Sequence, residues 1–477
     1  MIAVIDTLPA DLLTPLAVYL KLSAGAENSF LLESVEGGEN LARYSFVGAG
    51  PAMIFSGDDK RTTVTDNQRT ATIAAPILDC LREHFSGCSM ANESDLPSFV
   101  GGAIGSMNFS CAEWFEPSLK RNGSAADAHA SFMIFRSIVA FDHAKQTIRI
   151  VSLVFKDEAK GDKKELEQLF EKAEKTNKEI RAILESGNLE LPARANSATS
   201  ALTSNWSRPD FESAVAEIKE LINAGECYQV VLSQCFTKKT NATDVGIYRA
   251  IRSLNPSPYM FLLKFDTRSI IGASPEMLVR SRGKELEYRP IAGTRRRGKT
   301  RDEDESLAEE MKADKKEVAE HVMLADLGRN DLGRVAEYGS VKVADLMSVE
   351  KYSHVQHLVS KLAATMREDL DCFDALAACF PAGTVSGAPK VRAIEIIKRL
   401  EPTPRGVYAG AIGYLDYSGN MDTCIAIRTL VLENGEVTIQ AGAGIVADSV
   451  ASLEFEETVN KAAALLKAVE IAETGDF

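Results

Sequence analysis

The sequence predicts an α+β protein of two lobes, built from large, mostly antiparallel sheets flanked by helices. Three observations lead there. Short runs rich in β-branched and aromatic residues recur in both halves of the chain, broken by Gly, Asn and Asp. Asn434-Gly435 joins TLVLE to EVTIQ with the spacing of a tight hairpin, and no regular strand-helix alternation points to parallel units. At 477 residues, 45% hydrophobic and 26% charged, the chain is longer than one typical domain and can bury a large core.

Taken in order, NSFLLES, RYSFVG, SFMIFRSIVAFD and TIRIVSLVF read as the strands of a first lobe over residues 1–155. Helix formers dominate 157–186, with Leu166, Leu169, Phe170, Ala173 and Ile180 near one face, which predicts one long, largely solvated helix. The stretch 187–210 is small, polar and without apolar period. It divides the chain into an N-terminal lobe (1–190), a linker (191–209) and a second, catalytic lobe (210–477). There, Phe211, Val215, Ile218 and Ile222 recur at helical spacing, and Gly225 offers a left-handed C-terminal cap before the strand YQVVLSQCF. YMFLLKF, SIIGAS, AGAIGYLDY, CIAIRTLVL and EVTIQAGAGIV continue as strands, with helices over 303–328, 371–380, 389–400 and 452–470.

A net charge of −14 and a pI near 5.2 argue against nucleic acid or an anionic membrane as partner, because both reward dense Lys and Arg. The start, MIAVIDTLPADLL, lacks a basic stretch followed by a long apolar run, and no run of eighteen apolar residues occurs, so a soluble, cytoplasmic protein is expected. The eight cysteines are scattered without a CxxC pair, which suggests neither a disulfide framework nor a thiolate zinc site.

Two pairs of carboxylates stand three residues apart on helices: Glu317 with Glu320, and Glu454 with Glu457. Like charges at that spacing repel by about a few tenths of a kcal/mol, so each pair either faces water or is relieved by a cation. Apolar turns adjoin both (Val318, Val322 and Leu324; Leu453, Phe455 and Val459), which favours packed helices. Oxygen donors without clustered Cys or His suit Mg²⁺ held between the two helices. His321, His354 and His357 are candidates for proton transfer, with a hydrogen-bonded core imidazole as the alternative for each. QAGAGIVADS carries a nominal GxGxxA but lacks a βαβ setting, and FPAGTVSGAPK lacks the GK[ST] ending of a phosphate loop. Both offer unobstructed backbone N–H groups, which with Arg428 and Lys461 could bind a small dianion.

In the same order along the chain, PIAGTRRRG (290–298), EHVMLADLGRNDLGRV (320–335), SHVQHLVS (353–360), FPAGTVSGAPK (380–390), YAGAIGY (408–414), IAIRT (425–429) and QAGAGIVADS with EFEETVNKA resemble the chorismate-utilising enzymes. The resemblance spans nearly all of 210–465, and within the family it is to the large subunits that make anthranilate. It implies a sandwich of antiparallel sheets and chorismate bound through Mg²⁺ at its ring carboxylate. It further implies Glu320 and Glu457 as metal ligands, with Glu317 and Glu454 holding metal-bound waters. Gly293, Thr294, Tyr408, Arg428, the backbone of Gly442, Ala443 and Gly444, and Lys461 would grip the substrate. His357 would move a proton, Thr384 would hydrogen-bond nearby, and His321 and His354 would be structural.

The nucleophile distinguishes the branches. Relatives that add water resemble this chain but carry a lysine base where it has Gln229, and those making aminodeoxychorismate carry a lysine where it has Ala292. The resemblance thus implies ammonia as nucleophile, with anthranilate and pyruvate as products at the first committed step of tryptophan biosynthesis. No GxCxGxQ-type segment surrounds any cysteine, so a separate glutamine amidotransferase subunit, usually in a heterotetramer, is expected. FLLES and NPSPYMFLL resemble the family's tryptophan feedback site, with Glu33, Ser34, Arg43, Pro258, Tyr259 and Met260 as contacts. The alternatives are an aminodeoxychorismate synthase large subunit and a catalytically silent tryptophan-binding regulator.

Overall fold

Strand pairing in the computed structural model gives two twelve-stranded sheets, antiparallel throughout the described residues: 1–34, 43–66, 69–91, 95–120, 127–187, 189, 200–352 and 355–475. The first sheet runs from Ile2–Pro9 through Thr147–Val154, Ser137–Asp142, Tyr44–Ala49 and Asn28–Glu33 to Tyr259–Phe265. It continues through Arg268–Ser274, Thr429–Glu433 and Glu436–Ile445 to Gln229–Lys239. The second passes from Ile291–Arg296 through Val355–Thr365, Glu285–Tyr288, Met277–Arg282 and Met421–Ile425 to Ala411–Asp416, then to Gly102–Met107, Ala130–Phe135 and the strands between Met53 and Ile73.

The expected division into sequential lobes is therefore not a division in space. Met260 pairs with Glu33 in one sheet and Leu415 with Ala103 in the other, so segments from both sides of the linker share each sheet. Residues 191–199 of that linker, and His354, lie outside the described residues.

Alternation along the strands separates two cores. Phe30, Phe46, Phe261 and Ile270 face inward, where Phe30 meets Phe135 and Phe46 meets Tyr414 of the second sheet. Their neighbours Leu31, Val47, Leu262 and Ile271 face outward, beneath the helices Asp244–Leu254 and Ala451–Thr474. Among the described residues no helix is long and apolar enough to cross a membrane.

Two local departures matter for the site. The helix expected over 303–328 is two, Arg301–Ala313 and Lys315–Gly333. Asp314 divides them, and its Oδ1 accepts from the Glu317 N–H at 3.3 Å, as an N-cap does. The second concerns corners: SFMIFRSIVAFD crosses from one sheet to the other at Arg136. The chain makes the same crossing between Ser274 and Met277 and between Ile425 and Thr429. These last two corners lie side by side, with the Ile425 N–H on the Glu276 carbonyl and the Ala273 N–H on the Arg428 carbonyl, both at 3.1 Å. The Asn434-Gly435 hairpin forms as expected, both residues at positive φ between paired Glu433 and Glu436.

Candidate active site

The paired corners open into a cavity of 910 Å³. The helix Lys315–Gly333 contributes Glu320 to its wall, and the helix Ala451–Thr474 contributes Glu454, Glu457 and Lys461. Gln229, Ala292, Gly293, Thr294, His357, Thr384, Tyr408, Arg428, Gly442 and Gly444 also line it. Residues expected from distant stretches of sequence thus share one chamber. Two do not face it. Ala443 is fully buried in the core between the sheets, because the strand alternates and only its glycine neighbours turn to the cavity. Glu317 is engaged by Arg295, whose Nη1 donates to it at 2.9 Å.

The backbone at 293 favours glycine. Its φ is +68°, and a Cβ there would come within 3.2 Å of Glu317 Oε2. At Gly442 a Cβ would lie 2.8 Å from the Tyr408 hydroxyl, so only glycine lets that phenol reach the backbone. Burial pushes the Tyr408 hydroxyl up to about 12, leaving a neutral group at neutral pH.

Glu320, Glu454 and Glu457 bring oxygen donors to the cavity from two helices. That is the chemistry of a hard divalent cation such as Mg²⁺, which retains much of its water. Among the described residues no three His, Cys, Asp or Glu side chains already form a coordination shell. Glu457 instead pairs with Lys461 at 2.7 Å, and the Lys461 ammonium also donates to the Gly442 carbonyl at 2.9 Å. Both side chains are about half exposed (47% and 52%), so that ion pair is weak and can yield to a cation.

Two histidines stand near the corners. His357 is buried opposite Thr294 in the strand ladder, and its Nδ1 donates to the Gly293 carbonyl at 2.9 Å. A carbonyl only accepts, so Nε2 carries the lone pair. Burial lowers the pKa of the ring, keeping it neutral. His321 is fully buried, 2.6 Å from Ser360 Oγ, and does not line the cavity.

Glu276 was not foreseen. It stands in the Pro275–Glu276 corner, 7% exposed, and burial pushes its carboxyl up to about 8 despite Thr384 and Arg428 nearby. At neutral pH it is a protonated acid in the cavity wall. The only sequence signal was a charge between two apolar strands, which reads as a turn. Arg428 has φ +49°, a left-handed backbone that is unusual for a residue with a side chain, and it makes no ion pair with any described residue. Gln229 Oε1 is buried without a hydrogen-bond partner, and Thr384 Oγ1 is buried beside the Glu276 carboxyl.

A second cavity, of 560 Å³, is lined by Glu33, Ser34, Arg43, Pro258, Tyr259 and Met260. Glu33 accepts from Tyr248 Oη and, at 3.1 Å, from Arg252 Nε. The Tyr259 hydroxyl donates to Asp422 at 3.0 Å, Arg43 is tied to Asp142 at 2.8 Å, and Ser34 Oγ is buried without a partner.

Comparison with known proteins finds a match to the chorismate binding enzyme family over residues 27–467. The chain is 44% identical to anthranilate synthase component 1 of Acetivibrio thermocellus, over 97% of this chain and 94% of that one. It is 42% identical to the protein of the same name from Pseudomonas aeruginosa, with the same coverage. Among solved structures, anthranilate synthase component I from Streptococcus pneumoniae TIGR4 superposes with a TM-score of 0.76 at 35% identity, covering 90% of this chain and 93% of that one. The menaquinone-specific isochorismate synthase of Escherichia coli shares the fold, at a TM-score of 0.71 and 21% identity, covering 98% and 94%.

Proposed function

The chain belongs to the chorismate-binding enzymes, and from that membership we propose that its cavity performs the anthranilate synthase component I reaction. Chorismate and ammonia become anthranilate, pyruvate and water. One observation carries the reading: a single cavity holds an arginine without an ion pair, a neutral imidazole, a protonated carboxyl and carboxylates from two helices.

Arg428, Tyr408, the Gly442 and Gly444 backbone and Lys461 bind the substrate carboxylates. Glu320 and Glu457 would hold Mg²⁺, with Glu454 on its waters and Glu317 joining if Arg295 releases it. Bound there, the metal supplies Lewis acidity that withdraws electron density from the ring. Gln229 accepts one N–H of ammonia on its unpaired Oε1 and aims the nitrogen lone pair at C2. A glutamine side chain cannot take a proton from water, which favours ammonia over hydroxide. As the C2–N bond forms, both ring double bonds shift and the 4-hydroxyl departs, taking the Glu276 proton to leave as water, and the ammonium formed at C2 returns a proton to the Glu276 carboxylate. His357 Nε2 then removes the C2 proton, the C3–O bond breaks as the ring becomes aromatic, and the departing enolpyruvate takes up a proton at carbon to become pyruvate, which returns the imidazole to its neutral form. Thr384 Oγ1 offers a hydrogen bond beside the leaving hydroxyl.

The relatives' designation as component 1 supports a partner component, which we read as a glutamine amidotransferase delivering ammonia in a heterotetramer. The second cavity, with all six expected contacts on its wall, supports tryptophan as feedback inhibitor. The test is incubation of the chain with chorismate, Mg²⁺ and ammonium at alkaline pH, with and without tryptophan. Anthranilate fluorescence that EDTA abolishes and tryptophan lowers is expected; no anthranilate under these conditions overturns the assignment.

A further inference from the structure

Behind the cavity wall lies a buried ionic network that no step above uses. Arg405, 4% exposed, donates to Glu401 Oε1 at 2.6 Å and Oε2 at 2.8 Å, and to the carbonyls of Val385 and Val231, both at 2.7 Å. Glu401 Oε1 also accepts from the N–H and the hydroxyl of Ser233, at 2.8 and 2.7 Å. The guanidinium lies 5.6 Å from the centre of the Tyr408 ring.

The two carbonyls belong to separate walls of the cavity. Val231 lies two residues after Gln229 on one strand, and Val385 follows Thr384 in the turn Gly383–Ser386. The ladder between these segments covers Gln229–Ala388 and Val230–Gly387; beyond it, the Arg405 fork joins Val231 to Val385. A planar guanidinium holds its acceptors at fixed spacing, which a point-like ammonium does not.

We propose that Arg405, oriented by Glu401, is a positioning residue for the reaction: it sets the Thr384 turn against the Gln229 strand, so that the unpaired Gln229 Oε1 and the Thr384 hydroxyl beside Glu276 meet the reacting atoms. The inference rests on the anthranilate reading above. Of the side chains that grip the substrate carboxylates, Arg428 and Lys461 are not bonded to this network, and Tyr408 meets it only through its ring and its backbone N–H, which donates to the Arg405 carbonyl at 3.2 Å, so loss of the network affects turnover more than binding.

The test compares the parent chain with Arg405→Lys and with the double variant Arg405→Met, Glu401→Gln, each checked by circular dichroism and thermal unfolding. Anthranilate formation by the parent tests the reaction assignment separately. Folded Arg405→Lys is expected to lose roughly 100-fold in kcat, while KM for chorismate stays within about threefold. The double variant, which keeps no buried charge, is expected to show the same split. A folded variant with kcat within about threefold of the parent overturns the proposal. So does failure of both variants to fold, which would assign the network to stability alone.

Discussion

Replacing Glu276 by Gln should make the protein more stable and nearly inactive at once. The carboxyl, ordinarily near 4.5, is held at about 8 by burial. Between those values the folded chain keeps a proton that the unfolded chain has lost. Stability therefore falls as pH rises from about 4.5 to about 8, by about 5 kcal/mol in total at about 1.4 kcal/mol per pH unit. At pH 7.5 the accumulated cost is about 4 kcal/mol, the upper bound on what glutamine, with no charge to bury, would recover. Urea unfolding at pH 5 and pH 9 reads the difference: near parity at the lower pH, with the variant ahead at the higher. The kinetic arm uses anthranilate fluorescence, with rates referred to free ammonia. The parent should lose kcat/KM above about pH 8 as the acid ionises, and the variant should retain about 1% of parental kcat or less. Activity within about threefold of the parent, or a stability gain that does not grow with pH, would refute the acid role.

Other outcomes follow from the same geometry. Glu320→Ala and Glu457→Ala should each cost at least about 100-fold in ammonia-dependent turnover, with a right-shifted Mg²⁺ dependence in any residual activity. Gln229→Lys buries an amine whose pKa burial lowers, creating a base; anthranilate should fall and a water adduct of chorismate should appear by chromatography. Ser34→Ala removes the unpaired hydroxyl of the second cavity and should weaken tryptophan inhibition about five- to tenfold, consistent with the loss of one hydrogen bond of about 1 kcal/mol, with kcat unchanged.

The motifs between residues 290 and 465 were legible because most of their chemistry is carried by side chains at distinctive spacing, and almost all of those residues reached one cavity. What escaped depends on pairings distant in sequence. Glu276 gains its role only where two sheet-crossing corners meet, and nothing near Pro275 announces Arg428 as its neighbour. Glu317 has the helical spacing of a site residue, yet Arg295 claims it across a strand. Period-two patterns revealed the strands but not their partners, so the N-terminal segment looked like its own lobe although its strands pair with those after the linker. Asp314, inside a helical pattern, acts as a cap and splits the helix.

The most direct test feeds the chain chorismate, Mg²⁺ and ¹⁵N-labelled ammonium, and follows the products by mass spectrometry. Labelled anthranilate and pyruvate in equal amounts, both lost with EDTA, are expected. Pyruvate without labelled anthranilate, or isochorismate in its place, would contradict the account.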